Sequence, residues 1–164
     1  MKGILKRLCW GIFGAIIAIL FWGRFCEKIM KKLQDSIRRN KQNFMCANSW
    51  LSISDSRGTI AEWLKDSHFS EIAIYGMGYL GKHLLSELEN TDINIKYVID
   101  RNPDKVDEPY ICYAASEELP EVQVIIITLV YDFESIKESL NVMENTEIIS
   151  LEMILNSICK RNQL

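Results

Sequence analysis

The stretch that decides the fold is Glu71–Gly81, EIAIYGMGYLG, in which five residues typical of a β-strand run directly into a glycine-rich loop. The segment EIAIY is short, apolar and bounded by turn signals, which predicts a buried strand. The residues from Tyr79 to Glu89 have helical periodicity. A pattern Gly76-x-Gly78-x-x-Gly81 between a strand and a helix predicts a loop that binds the phosphates of a nucleotide.

Each glycine of this loop has a separate expected role. Gly76 permits a tight turn out of the strand, Gly78 leaves room for a pyrophosphate beside the backbone, and Gly81 lets the helix pack close to the sheet. The first turn of the helix offers unpaired N–H groups and the positive end of its dipole to an anion. The predicted binding loop consists of Gly76, Met77, Gly78, Tyr79, Leu80 and Gly81.

An acidic residue lies where a nucleotide-binding fold would use one. Asp100 ends a second predicted strand, Asn94–Asp100, nineteen residues after Gly81. A carboxylate at this point can accept hydrogen bonds from a ribose diol and disfavours a 2′-phosphate, although the adjacent Arg101 weakens the second inference. The alternative for Asp100 is an acid that only stabilises the turn after the strand.

The rest of the body continues to alternate strands and helices. The expected elements are a helix at Ile60–Ser67 with Thr59 and Glu62 as a capping box, a strand at Tyr110–Cys112, a helical turn at Glu117–Leu119 capped by Ser116, a strand at Val122–Leu129, a helix at Glu134–Leu140, a strand at Glu147–Ser150 and a helix at Leu151–Lys160. This alternation predicts an α/β fold with a five-stranded parallel Rossmann-like sheet in the order 3-2-1-4-5. Thr128 and the following Leu129-Val130-Tyr131 should then border the ligand crevice.

The N-terminal head is a separate feature. Leu8–Gly23 is an uncharged, largely apolar run flanked by lysines and arginines, with tryptophans near both ends. As a helix it would be ~24 Å long, short of a ~30 Å hydrocarbon core, although snorkelling side chains can close the gap. A membrane anchor is favoured over a cleaved signal peptide, which would need a small-x-small site, and over a helix packed on a partner. The larger positive cluster after the run predicts that the body stays on the cytoplasmic side of the cell membrane.

The segment from Phe25 to Phe44 predicts an amphipathic helix. Its apolar stripe is formed by Cys26, Met30, Leu33, Ile37 and Phe44, with Asn40 at the remaining position of the seam. Packing on the body and dimerisation are equally compatible with this stripe. A polar connector is expected between about Asn48 and Gly58. The domain plan is therefore 1–24 as a membrane-associating helix, 25–69 as amphipathic helix and connector, and 70–164 as the nucleotide-binding domain.

Charge and composition exclude several functional classes. The first 42 residues carry a net charge of +8 and the remainder −11, within a total of −3. An acidic body argues against nucleic acid as a partner. The five cysteines are scattered, with no CxxC spacing, which favours free thiols over a disulfide framework or a zinc site. The only histidines are His68, in a connector, and His83, which has no nucleophile or carboxylate placed beside it by the sequence, so no catalytic residue and no metal ligand is predicted.

Four stretches carry a resemblance to a known family: IAIYGMGYLGKHLLSEL, YVIDRNP, LPEVQVIIITLVYDFESIKESL and EIISLEMIL. Together, over roughly residues 48–157, the chain resembles small Rossmann-like proteins encoded in bacterial capsule and exopolysaccharide gene clusters. It is also similar to the nucleotide-binding N-terminal domain of sugar acyltransferases and to the C-terminal domain of sugar C-methyltransferases. The chain lacks the β-helix of the former and the methyltransferase domain of the latter, so transfer activity is not carried over.

The resemblance implies nucleotide or nucleotide-sugar binding in polysaccharide biosynthesis. Together with the hydrophobic head, it predicts a membrane-associated accessory protein whose ligand is NAD or a nucleotide-sugar. Its expected partners are a glycosyltransferase or a second copy of the chain. A minimal NAD-dependent oxidoreductase or epimerase-like subunit, and a nucleotide-gated regulatory module, remain as alternatives. The expected ligand contacts beyond the loop are Asp100, Arg101 and Thr128.

Overall fold

The computed structural model describes residues 2–54, 59–106, 109–140 and 145–161, with side chains described from residue 18 onward except at residue 54. The chain divides into two compact units, Met1–Asn40 and Lys41–Leu164. The first unit is the N-terminal part of one long helix. The second contains the end of that helix and the whole sheet.

The helices are α1 (Lys2–Ser54), α2 (Ile60–Asp66), α3 (Tyr79–Leu88), α4 (Phe133–Ser139) and α5 (Leu151–Arg161). The strands are β1 (Glu71–Tyr75), β2 (Asn94–Ile99), β3 (Cys112–Tyr113), β4 (Val124–Ile127) and β5 (Glu147–Ser150). Short 3-10 turns occupy Pro103–Lys105 and Val130–Asp132. The predicted strands of the sheet and the helices α2 to α5 are thus present, with ends that shift by no more than two residues.

The five strands form one parallel sheet in the order β3-β2-β1-β4-β5, which confirms the predicted topology. Every residue of β4 is buried, as expected for a central strand covered on both faces. Side chains of a strand alternate between the two faces, so Ile72 and Ile74 enter one core while Ala73 and Tyr75 enter the other. Helices α2, α3 and α5 cover the first face, and α4 covers the second.

Helix α1 extends further toward the C-terminus than predicted. The residues from Asn48 to Ser54 were expected to form a connector, but they belong to α1. Cys46, Trp50 and Ile53 are spaced four and three residues apart and are almost completely buried against the helices that cover the first face of the sheet. Burial of this face outweighs the weak helix preference of the serines around it. Residues 55–58 of the expected connector lie outside the described residues.

Other local expectations have mixed outcomes. The capping box of α2 is present, with the Thr59 hydroxyl and the Glu62 carboxylate each bonded to the other residue's backbone N–H. The helical turn expected at Glu117–Leu119 was wrong, because this segment is irregular. Leu119 precedes Pro120, and a residue before proline is disfavoured in helical conformation. The third strand also begins later than predicted, at Cys112.

One carboxylate of α3 joins three helices. Glu87 Oε2 accepts a hydrogen bond from Trp50 Nε1 at 2.6 Å, and Glu87 Oε1 accepts one from the backbone N–H of Ile60 at 3.1 Å. Ile60 is the first residue of α2, where a negative charge also complements the helix dipole. Glu87 therefore fastens the end of α1 and the start of α2 to α3.

Replacing Glu87 with alanine is expected to lower the free energy of unfolding by about 2 kcal/mol, because the buried indole N–H of Trp50 would lose its acceptor. The free energy of unfolding of Glu87→Gln should lie between those of the wild type and Glu87→Ala, since one amide oxygen can replace only one of the two carboxylate acceptors. Urea unfolding measures this difference. Glu89→Ala is the matched control, because Glu89 is exposed at the end of the same helix and makes no side-chain bond in the described part of the chain. Equal losses in Glu87→Ala and Glu89→Ala would contradict the bridging role.

The buried thiol in the same region supplies a second prediction. Burial raises the pKa of the Cys46 thiol to about 12, and the nearby Glu152 acts in the same direction. Because the thiolate is the reactive form, iodoacetamide at pH 8 should modify Cys46 at least ~100-fold more slowly than the exposed Cys26. Peptide mass spectrometry over a labelling time course measures both rates. Similar rates at the two cysteines would mean that α1 leaves the body readily.

The predicted membrane helix lies mainly outside the described side chains, because those of residues 8–17 of the run Leu8–Gly23 are not among them. In the part of the chain that could be assessed, no helix combines the length and the apolar character needed to cross a membrane.

Candidate functional site

The glycine loop turns sharply between β1 and α3. Gly76 has a φ of +93°, a left-handed conformation that strains any residue with a side chain. A Cβ on Gly76 would also lie 2.0 Å from Leu129 Cδ1 and 2.9 Å from the Thr128 hydroxyl oxygen. The backbone N–H of Gly76 still donates to the carbonyl of Ile99 at 2.7 Å, so the loop begins while the chain is held by the sheet.

Gly81 provides the close approach between helix and strand. A Cβ at this position would lie 2.0 Å from the carbonyl oxygen of Gly76 and 3.0 Å from its carbonyl carbon. These are backbone atoms, which cannot turn aside as a flexible side chain can. The structure therefore places Gly81 against the turn, as the pattern predicted.

Gly78 is different, because the space beside it is open. It precedes α3 in extended conformation, and among the described residues no atom beyond its two chain neighbours lies within 4 Å of the position of a Cβ. No side chain caps this end of the helix. Among the described residues, no acceptor pairs with the backbone N–H groups of Gly78, Tyr79 and Leu80. The start of α3 thus offers three amides and the positive end of its dipole to a ligand.

Asp100 lies beside this loop and is already engaged by the protein. Its Oδ2 accepts a hydrogen bond from the backbone N–H of Met77 at 2.8 Å, and its Oδ1 accepts one from Asn102 N–H at 3.0 Å. The second bond is the turn-stabilising role that was the alternative for this residue. An ionised carboxylate has about four acceptor positions, so two protein bonds leave capacity for a ribose hydroxyl. Asp100 both anchors the loop and remains on the wall of the cleft.

Thr128 supports the turn from the next strand. It is buried, and its hydroxyl donates toward the carbonyl oxygens of Gly76 at 2.7 Å and Tyr75 at 3.0 Å. These contacts occupy the hydroxyl proton, so the main observed role of Thr128 is to hold the loop in shape. Thr128 also forms part of the cleft wall, at the topological switch point between β1 and β4.

Arg101 and Met77 are the predicted site residues that point elsewhere. Arg101 donates to Asp132 Oδ2 at 2.7 Å, and this bond together with one to Tyr75 raises the pKa of its guanidinium. It does not line the cleft. The Met77 side chain is buried in the core, and only its backbone N–H faces Asp100. The side chains of Arg101 and Met77 do not extend into the space beside Gly78.

The cleft itself has a volume of about 290 Å³. It is lined by Asn43, Gly76, Gly78, Tyr79, Leu80, Asp100, Thr128, Leu129 and Tyr131. Most of these residues were predicted, including Leu129 and Tyr131 after the fourth strand. Asn43 was missed, because it belongs to α1 and reaches the cleft only through the docking of the helix end on the body. No pattern around Asn43 in the sequence signals this position.

Catalytic groups were not predicted, and the two histidines lie outside the cleft. His83 stacks on Trp50 with ring centroids 4.5 Å apart. His68 follows Ser67, the C-cap of α2, and has a φ of +63°, in the left-handed position that closes many helices. In the portion of the chain open to description, no group of three histidine, cysteine, aspartate or glutamate side chains could hold a metal ion.

The arrangement as a whole can bind an anion. Three free amides and a helix dipole favour a phosphate group, and an adjacent carboxylate favours hydroxyl groups over a second anion. Comparison with protein-family models, with curated proteins and with solved structures found no match for this chain.

Proposed function

We propose that this protein binds a nucleotide or nucleotide-sugar, with its diphosphate at the start of α3 and its ribose beside Asp100. The observation that carries the proposal is the open space at Gly78, next to three backbone N–H groups without an acceptor in the described part of the chain. A scaffold that retained its glycines only for packing would need Gly76 and Gly81, but not an unblocked Gly78.

The shape of the cleft favours a ligand with one nucleotide in contact with the protein. A volume of about 290 Å³ is at the lower end of small-molecule sites, which typically range over ~300–1,000 Å³. No lysine or arginine is among the lining residues, so the amides and the dipole would supply the attraction for phosphate. A cleft of this size holds about one nucleotide, so the sugar of a nucleotide-sugar or the second half of NAD would extend beyond it.

The binding experiment is isothermal titration calorimetry of the full chain, because Asn43 of α1 contributes to the cleft. UDP-sugars, CMP-sugars, NAD and coenzyme A are titrated in parallel with uridine and adenosine. Saturable heat is expected for at least one phosphate-containing ligand and none for the nucleosides. Absence of binding for the whole panel at ~1 mM, a concentration that would still reveal ~4 kcal/mol of binding free energy, would refute the proposal.

The biological setting is proposed on the resemblance to polysaccharide-cluster proteins. The chain would serve as an accessory protein for surface-polysaccharide glycosyltransferases, on the cytoplasmic side of the cell membrane. The exposed apolar side chains of Ile19, Leu20, Phe21 and Trp22 support membrane association. Deleting residues 1–23 should release the protein into the soluble fraction, and unchanged recovery with membranes would contradict this part of the proposal.

The described residues of the cleft wall include no histidine, cysteine or lysine, so we propose a binding role and keep the enzymatic role as the alternative. Asp100 is the one ionisable carboxylate on that wall, and it is bonded to the loop backbone. Release of UDP, CMP or a reduced cofactor during incubation with the same ligands would favour the alternative enzymatic role.

A further inference from the structure

A continuous apolar stripe runs along α1 and is exposed to solvent. From Cys26 onward its members are spaced alternately by four and three residues, which is the seam spacing of a coiled coil. In heptad terms the a positions are Met30, Ile37 and Phe44, and the d positions are Cys26, Leu33 and Asn40. More than half of the Met30, Leu33 and Ile37 surfaces is exposed, so these side chains lack the burial that normally stabilises a long helix.

In the unit Lys41–Leu164, the end of α1 leaves the continuation of this stripe exposed. Within the unit Lys41–Leu164, α1 packs through Cys46, Trp50 and Ile53. Phe44 and Leu51, which continue the a positions, are 68% and 66% exposed in the same unit. The stripe and the docking face are therefore different faces of one helix.

The charges of α1 are arranged so that a second copy can approach the stripe. All but one of the charged residues between positions 24 and 39 fall at the outer heptad positions b, c and f, and they are Arg24, Lys28, Lys31, Lys32, Asp35, Arg38 and Arg39. Within Cys26–Phe44 the flanking e and g positions carry Glu27, Ile29, Gln34, Ser36, Lys41 and Asn43. In a parallel pair Lys41 faces Ser36 of the second copy, so no like charges lie opposite each other. A seam limited to a and d from Met30 onward is also narrower than the apolar face of a helix that lies on a membrane.

We propose that α1 pairs with α1 of a second copy as a parallel, in-register two-stranded coiled coil along Cys26–Phe44. The parallel arrangement places Asn40 opposite Asn40 of the other copy, so that the two side-chain amides can bond to each other. A fully overlapping antiparallel pair would set Asn40 against Met30 and leave its amide unpaired, at the cost of a buried polar group without a partner. This pairing stands independently of nucleotide binding.

Disulfide formation tests the register directly. In the full chain in neutral detergent, with Cys9→Ser to leave one cysteine in the N-terminal unit, a copper–phenanthroline oxidant should convert most of the protein to a Cys26-linked dimer. Moving the thiol to the seam with Cys26→Ser and Leu33→Cys should retain the cross-link. The matched variant Cys26→Ser with Lys32→Cys, one residue away on the outer face, should give little. A dimer by sedimentation that forms no cross-link at either seam position would overturn the parallel arrangement.

Two charges in the seam test the pairing itself. Leu33→Lys with Ile37→Lys should weaken dimerisation on the order of 100-fold by sedimentation, because the lysines would be buried against the other copy. Lys31→Ala with Lys32→Ala, on the outer face, should leave it unchanged. A wild-type chain that sediments as a monomer would overturn the proposal. If that monomer also bound vesicles of phosphatidylglycerol and phosphatidylcholine through Leu33 and Ile37, the stripe would be a membrane surface.

Discussion

Replacing Gly78 with valine is expected to abolish measurable nucleotide binding while changing the free energy of unfolding by less than ~1 kcal/mol. The valine side chain would enter the open space beside the free amides of the loop. A phosphate could then no longer approach these N–H groups, and an affinity loss on the order of 1,000-fold follows if the diphosphate supplies about 4 kcal/mol of the binding free energy.

The fold should tolerate this change for two reasons. No atom lies within 4 Å of the new Cβ, and Gly78 has an extended conformation that valine adopts readily. The only expected loss is that of a glycine at the N-cap, which is small compared with global stability. Binding and stability are therefore separable at this position.

The measurement pairs calorimetric titration with urea unfolding of the same preparations. Ser86→Val is the matched control, because it adds the same side chain to an exposed position of α3 away from the cleft. Gly78→Ala should give an intermediate loss of affinity. Wild-type affinity in Gly78→Val would show that the loop is a structural turn, and the proposed function would fall with it.

Replacing Gly81 with alanine is expected to have the opposite profile, a loss of about 3 kcal/mol in the free energy of unfolding. The added methyl would lie 2.0 Å from the Gly76 carbonyl oxygen, so α3 would have to move away from β1. This overpacking cost outweighs the ~1 kcal/mol that alanine gains over glycine inside a helix.

Urea unfolding of Gly81→Ala beside Gly78→Ala measures the difference, since both variants add one methyl group to the same loop. Only the first methyl meets backbone atoms. Stability of Gly81→Ala equal to that of wild type would mean that the helix and the strand are not in such close contact in solution.

The strand and helix pattern of the body could be predicted because burial imposes it locally. β1 and β5 begin and end at the predicted residues, and α3 differs by one. Short apolar strands and capped helices carry their own periodicity, and parallel crossovers leave few alternatives for their order. The expectation for Glu117–Leu119 failed where a proline, rather than periodicity, determined the backbone.

The residues of the candidate site likewise fall into those that could be predicted from local sequence and those that could not. The glycines and Asp100 could be placed in one cleft because they lie at the ends of neighbouring strands. The ion pair of Arg101 with Asp132 and the bonds of Thr128 to the loop carbonyls could not be predicted, because they join residues that are 31 and 52 positions apart. The position of Asn43 on the cleft wall could not be predicted either, since it depends on how α1 packs.

The amino-acid sequence by itself determined the parallel sheet, its strand order and the position of the glycine loop, because alternating apolar periods and turn residues act over a few neighbours. Only the tertiary structure decided that α1 continues through Trp50, that Glu87 joins three helices and that Asn43 lies on the cleft wall. These features depend on which distant surfaces meet. Close packing and the pairing of buried polar groups settle that choice only after the chain has folded.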